Sequence, residues 1–259
     1  MDLFALLQNQ LGFLLLVFVR ITGIFMITPF FGSRNVHGYI KAGLALVLTY
    51  ILYPMVYNEA AVIPESFISY FLLVISEFLV GLILGFVSSL LFSAIQMSGQ
   101  LLDMQIGFGV ISIIDPQSGQ QVPLVGNFKY VLAMLVFLVT NGHHVVLAAL
   151  FSSFKWIPIT KMHWQPNLSD FIVNLVGGMF VIALKISIPV LAAVVLTDVA
   201  LGILARTMPQ MNIFVVGVPS KIIVGIFVLS LALPFYILFL ELAFNEAYKD
   251  LYRLLALFG

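Results

Sequence analysis

Cysteine is absent from the 259 residues, which excludes disulfides and thiolate metal sites. Charge is scarce as well. Only 8% of the residues are charged and 62% are hydrophobic, whereas a soluble domain is about one-quarter charged. The 11 basic and 11 acidic side chains cancel, so no cationic excess points to a nucleic-acid partner. There is no Walker loop, which removes nucleotide hydrolysis by that route. Ser152 and Lys155 fit S-x-x-K but lack its companion motifs. His143 and His144 are adjacent, so on a helix they point about 100° apart and do not form the i, i+4 pair that shares a metal. The expectation is a chain that is not an enzyme, with no catalytic residue, no metal and no cofactor. Its start, "MDLFALLQNQ", lacks a positively charged n-region, so the first apolar run reads as a retained helix and not as a removed signal peptide.

What the chain has in abundance is long apolar runs. Six stand out, at about 11–31, 40–57, 68–95, 128–151, 172–204 and 213–243, each near the ~20 residues that cross a bilayer as a helix. No polar stretch is long enough for a soluble domain. The fold class is therefore all-α, a polytopic integral membrane protein, with residues 1–259 as a single membrane domain. Trp156 and Trp164, in the linker between the fourth and fifth runs, suit a membrane–water interface. After Glu241 the sequence becomes a mixed amphipathic helix suited to a surface. Loop charges divide almost evenly: Arg34, Lys41, Lys129, Arg206 and Lys221 against Lys155, Lys161, Lys249 and Arg253. So even a division does not orient the chain by the positive-inside rule, and it points to partner proteins fixing its placement.

Several ionisable groups fall inside the apolar runs. Arg20, Glu77, Lys185 and Asp198 each cost about 2.5–3.5 kcal/mol at the centre of a span, so they are expected to face protein or water. Structural ion pairs between helices and an ion or proton relay are the two readings. The third run carries Ser89, Ser93, Gln96, Gln100 and Asp103 at spacings of four, three, four and three, which places all five on one helical face. Such a stripe bonds to a neighbouring helix or borders water.

That helix then meets "GFGVISIIDPQSGQQVP". Gly107 and Gly109 weaken it, Pro116 removes a donor and extends Asp115, Gly119 frees a turn, and Pro123 opens the next helix. Irregular backbone at membrane depth is tolerated only against protein or a water-filled cavity. A hairpin at a conduit and an ordinary loop at the membrane surface both fit the composition.

Six stretches carry a resemblance: "RITGIFMITPFFG" with the following Lys41, "GLILGF", "SGQLLDMQIGFG", "DPQSGQQVP", "NGHHVVLAALFSSF" with Pro158, and "LGILARTMPQMNIFVVGVPSK". In the last, an apolar helix ends at Arg206 with Arg-x-x-Pro-Gln and resumes after Gly-x-Pro. The chain resembles the FliR/SctT family of type III secretion export-gate proteins, and "NGHH" and "MPQMNIFVVGVP" lie nearest its flagellar branch. The resemblance implies a FliP-like unit followed by a FliQ-like unit in the bacterial inner membrane, at the flagellar basal body. It implies a helical pore assembled with FliP and FliQ subunits, with FlhB at the cytoplasmic entrance. Unfolded flagellar export substrates pass through this pore, driven by the proton-motive force and a separate ATPase.

The resemblance further implies that the loop at 111–122 projects into the pore and plugs it. Phe108, Val110, Ile111, Ile113 and Ile114 would form an apolar seal that excludes water by dewetting, and Asp115, Pro116, Gln117, Ser118, Gly119, Gln120 and Gln121 would form its polar turn. Arg20, Lys41, Glu77, Gln96, Gln100, Asp103, Lys185, Asp198, Arg206 and Lys221 are the candidate intramembrane or interface polar groups. Membrane lipid and sister subunits are the expected surroundings. Two alternatives stand beside the gate. One is a small-solute secondary transporter with a midplane site at Lys185, Asp198 and a fifth segment broken at Gly177, Gly178 and Pro189. The other is a passive assembly scaffold.

Overall fold

A backbone deprived of water must satisfy its N–H and C=O groups within its own segment, and an apolar chain does this by forming helices. The computed structural model describes residues 3–33, 36–57, 63–64, 66–108, 123–160, 165–210 and 212–258. Among them, seven helices account for the regular structure: α1 (Leu3–Ile27), α2 (Gly38–Val56), α3 (Phe67–Ile106), α4 (Leu124–Val139), α5 (Gly142–Trp156), α6 (Asn167–Thr207) and α7 (Ile213–Phe258). The fold is all-helical, as the composition requires. α1, α2, α3, α6 and α7 are each long and apolar enough to cross a membrane, and α4 with α5 passes the same test only as a pair, bent by 67°.

Three boundaries differ from the sequence pattern. The run at 128–151 is two helices. Asn141 has φ 57, a left-handed conformation that asparagine adopts more readily than most residues, and the chain bends there. α6 runs unbroken through Gly177, Gly178 and Pro189, because a long helix surrounded by apolar material tolerates the loss of one backbone bond. α7 resumes at Ile213, ahead of Gly217, and holds Pro219 and Pro234 inside it.

The chain forms two compact units. The first comprises Met1–Leu90, Asn141–Leu175 and Asn245–Gly259; the second comprises Leu91–Thr140 and Val176–Phe244. In the first unit α1 and α3 meet through glycines. A Cβ on Gly81 would overlap the Arg20 carbonyl, and one on Gly23 would overlap the Phe78 carbonyl. This approach brings Arg20 to Glu77. Both are buried, with Nε and Nη2 each 2.6 Å from the same carboxylate oxygen. Nη1 donates to the Ser153 carbonyl at 3.1 Å and the Ile157 carbonyl at 3.0 Å, tying in α5. The guanidinium also lies 4.4 Å from the centre of the Phe154 ring. Nearby, Phe13, Tyr53 and Tyr57 pack edge-on and stacked between α1 and the end of α2. The last part of α7 is amphipathic as expected: Leu251, Leu254, Leu255 and Phe258 are buried, while Glu246, Lys249, Asp250 and Arg253 pair along the other face.

Two outcomes follow for the first unit. Gly81→Val should destabilise the detergent-extracted chain by about 1–3 kcal/mol through overpacking, while Gly43→Ala, where a Cβ meets nothing within 4 Å, should be neutral or slightly stabilising; thermal melts of the two variants check this. Glu77→Gln strands a buried guanidinium and should cost about 3–5 kcal/mol, and joint replacement of Arg20 and Glu77 by methionine should cost far less. If the double variant melts no higher than Glu77→Gln, the pair does more than neutralise itself.

Candidate functional site

The second unit holds the base of the loop that the sequence singles out. α3 ends at Ile106 because Gly107 turns to φ 102, a backbone state that glycine accepts without strain. Pro123, whose fixed φ suits the approach to a helix, caps the start of α4. Val110, Ile111, Ile113, Ile114, Asp115, Pro116, Gln117, Ser118, Gly119, Gln120 and Gln121 lie outside the described residues. Phe108 is described. It is partly buried and packs against the cluster of Leu102, Ile106, Val125, Val190 and Val194.

The two legs of the loop are held together by Asp103. Its carboxylate accepts the backbone N–H of Val125 at 3.0 Å and of Gly126 at 3.2 Å. These are donors that the first turn of α4 cannot satisfy within itself, and the negative charge suits the positive end of the helix. The legs also touch through backbone. A Cβ on Gly99 would overlap Gly126, and a Cβ on Gly225 would run into the Ile106 side chain, so α7 closes in from another direction.

One turn further along α4 sits Lys129, only 2% exposed. Its ammonium donates to Ser98 Oγ at 2.6 Å and lies 4.9 Å from the centre of the Tyr236 ring. Tyr236 donates its hydroxyl to the Lys129 carbonyl at 3.1 Å, and Ser187 donates to the Ser98 carbonyl at 3.3 Å. α3, α4, α6 and α7 are thereby stitched at one level. Sequence reasoning counted Lys129 among the loop charges and passed over Ser98 and Tyr236. The available signal was position, since Lys129 falls inside the run at 128–151 and not before it.

The other candidates fall in different places. Of the polar stripe on α3, Ser93, Gln96 and Gln100 are exposed, while Asp103 turns inward. Asp198 pairs with Lys221 at 2.7 Å, and Lys185 has no ion pair among the described residues. Lys185 and Asp198 are thirteen residues apart on an unbroken α6, about 20 Å along its axis, so the two do not meet at one level of that helix. Arg206 is exposed in the last turn of α6, where a cation suits the helix end. Lys41 is partly buried beside an apolar cavity of about 220 Å³ lined by Phe25, Phe31 and Leu44. The rings of His143 and His144 lie 4.2 Å apart, because short neighbouring side chains at a helix start can lean together. Among the described residues no group of three or more His, Asp or Glu is placed to hold a metal.

The clamp has a direct readout. Asp103→Ala leaves two buried N–H groups without an acceptor, a loss of about 1–3 kcal/mol. Hydrogen exchange at Val125 and Gly126 should accelerate by about 5- to 150-fold, and less in Asp103→Asn, which keeps an acceptor. Unchanged exchange would show that another group holds the start of α4.

The chain matches a family model described as bacterial export proteins, family 1, over residues 11–247. It is 38% identical over 250 residues to the flagellar biosynthetic protein FliR of Bacillus subtilis (strain 168), covering 95% of each chain. The FliR of Pectobacterium carotovorum subsp. carotovorum is 33% identical over 234 residues, covering 89% of this chain and 88% of its own. That of Escherichia coli (strain K12) is 28% identical over 231 residues, with 89% and 88% covered. With matches of this reach and an all-helical fold suited to a membrane, the chain belongs to the FliR family of bacterial flagellar export proteins.

Proposed function

We propose that this chain is a subunit of the flagellar export gate in the bacterial inner membrane. It forms with FliP and FliQ the pore through which unfolded flagellar proteins leave, with FlhB at the entrance. It acts by shape and sealing and performs no chemistry of its own. A FliP-like first part and a FliQ-like second part supply its surfaces. The observation that carries this reading is the uncovered apolar surface of the last two helices. Only 22% and 11% of their most apolar stretches are buried within the chain, and Leu196, Ile223, Phe235 and Leu242 stand more than half exposed. A family of export proteins whose helices bury so little alone fits an assembly in which sister subunits do the burying.

The loop at 111–122 plugs the resting pore in this reading. Its support is chemical. Val110, Ile111, Ile113 and Ile114 are apolar groups of the kind that gate by dewetting, and Asp103, Gly99 and Gly126 fix both ends of the loop to one another. A plug must move without dragging the pore wall with it, and the bonds from Val125 and Gly126 to Asp103 tie α3 and α4 to one another.

Removing Ile111–Val122 should therefore raise ion leak across the membrane of cells carrying this chain as their only copy, with the native mass of the extracted complex unchanged. Leak equal to that of the intact chain, at full complex mass, removes the plug and leaves a scaffold. A native mass of a lone chain removes the gate altogether.

A further inference from the structure

Lys185 lies on α6 in a groove of about 430 Å³ shared with α7, beside Pro189, Val228, Leu231, Phe235 and Phe239. It is exposed, and among the described residues it has neither an ion pair nor a hydrogen-bond partner. The other deep cations differ: Arg20 has Glu77, Lys129 has Ser98, and Lys221 has Asp198. A second deficit adjoins the first. Pro189 lies inside α6 and has no N–H to give to the Lys185 carbonyl one turn back. An ammonium without a partner among the described residues and a carbonyl that has lost its usual helical donor thus fall at one residue, on a largely oily surface.

From these deficits we infer that the groove receives an apolar helix of another subunit of the export assembly, one that carries an Asp or Glu level with Lys185. The inference rests on the gate reading above and adds the chemistry of one contact. A carboxylate is the group that completes an ammonium. Leu184, Ile188 and Leu196 are exposed apolar residues of the same helix, so the ammonium stands among oily side chains. Phe235 and Leu231, 74% and 59% exposed, give the incoming helix an apolar wall.

The test uses the full chain as the only copy in a motile bacterium, with a benzophenone amino acid at Leu184 or Phe235. After illumination and detergent extraction, the adduct is digested and sequenced. The expected adduct is an apolar segment of a different subunit with Asp or Glu within one turn of the attachment point. Lys185→Glu should lower its yield roughly 30-fold, Lys185→Arg should keep it, and reversing the partner's acid should restore it in Lys185→Glu. An adduct with a second copy of this chain, with a segment lacking a carboxylate, or with no protein overturns the inference. If the complex keeps its full native mass in those cases, the gate reading survives; a lone chain by native mass removes both.

Discussion

A charge taken out of water must be met by an opposite charge or by hydrogen bonds, and the first unit is arranged around one such demand. Arg20 is fully buried and carries more donors than a single carboxylate can accept. Glu77 supplies the counter-charge, and the Ser153 and Ile157 carbonyls accept from Nη1. Three stretches distant in sequence are held by one side chain. The close approach of Gly23 to Gly81 is the other half of the same arrangement. Without a backbone-to-backbone contact, the guanidinium would not reach carbonyls on α5 and a carboxylate on α3 together.

The second unit solves a similar problem with smaller pieces. There, the demand comes from the open start of α4, and the answer is Asp103, projecting from the neighbouring leg. Lys129 follows one turn later and is met by a hydroxyl and a ring face. Again two glycines, Gly99 and Gly126, admit the approach. In apolar surroundings there is little hydrophobic force between helices, so close packing of small residues and polar contacts must hold them. Both units use that pair of devices, and it explains why glycine is frequent where the buried polar groups are.

What was legible in the sequence was what depends on the chain alone. The apolar runs gave helices because their length and composition leave no other way to satisfy the backbone. The end of α3 was readable from Gly107, the start of α4 from Pro123, and the amphipathic tail from its alternating charges. The bend at Asn141 was not, since its cause is one left-handed residue inside a run that reads as continuous. Arg20 and Glu77 were readable as buried and in need of partners, but Ser153 and Ile157 were not, because carbonyl acceptors leave no mark in a sequence. Asp103 was read as part of the polar stripe of α3, yet its function as a cap depends on where α4 begins in space. Lys129 was misjudged because charge was counted by linker, and its partners come from three other helices.

The distribution of satisfied and unsatisfied groups separates what this chain settles alone from what it leaves to others. Arg20, Glu77, Asp103 and Lys129 are answered inside their own units. Gln96 and Gln100 are exposed on α3, and Lys185 is exposed on α6 among large apolar side chains. Hydrocarbon cannot answer an amide or an ammonium, so exposure of this kind is stable only beside water, polar headgroups or another polypeptide. A chain evolved to stand alone in a bilayer would turn such groups inward, as this one does with Arg20. On α3 both occur, with Glu77 and Asp103 turned inward and Gln96 and Gln100 left outward, a pattern that fits the gate subunit proposed above.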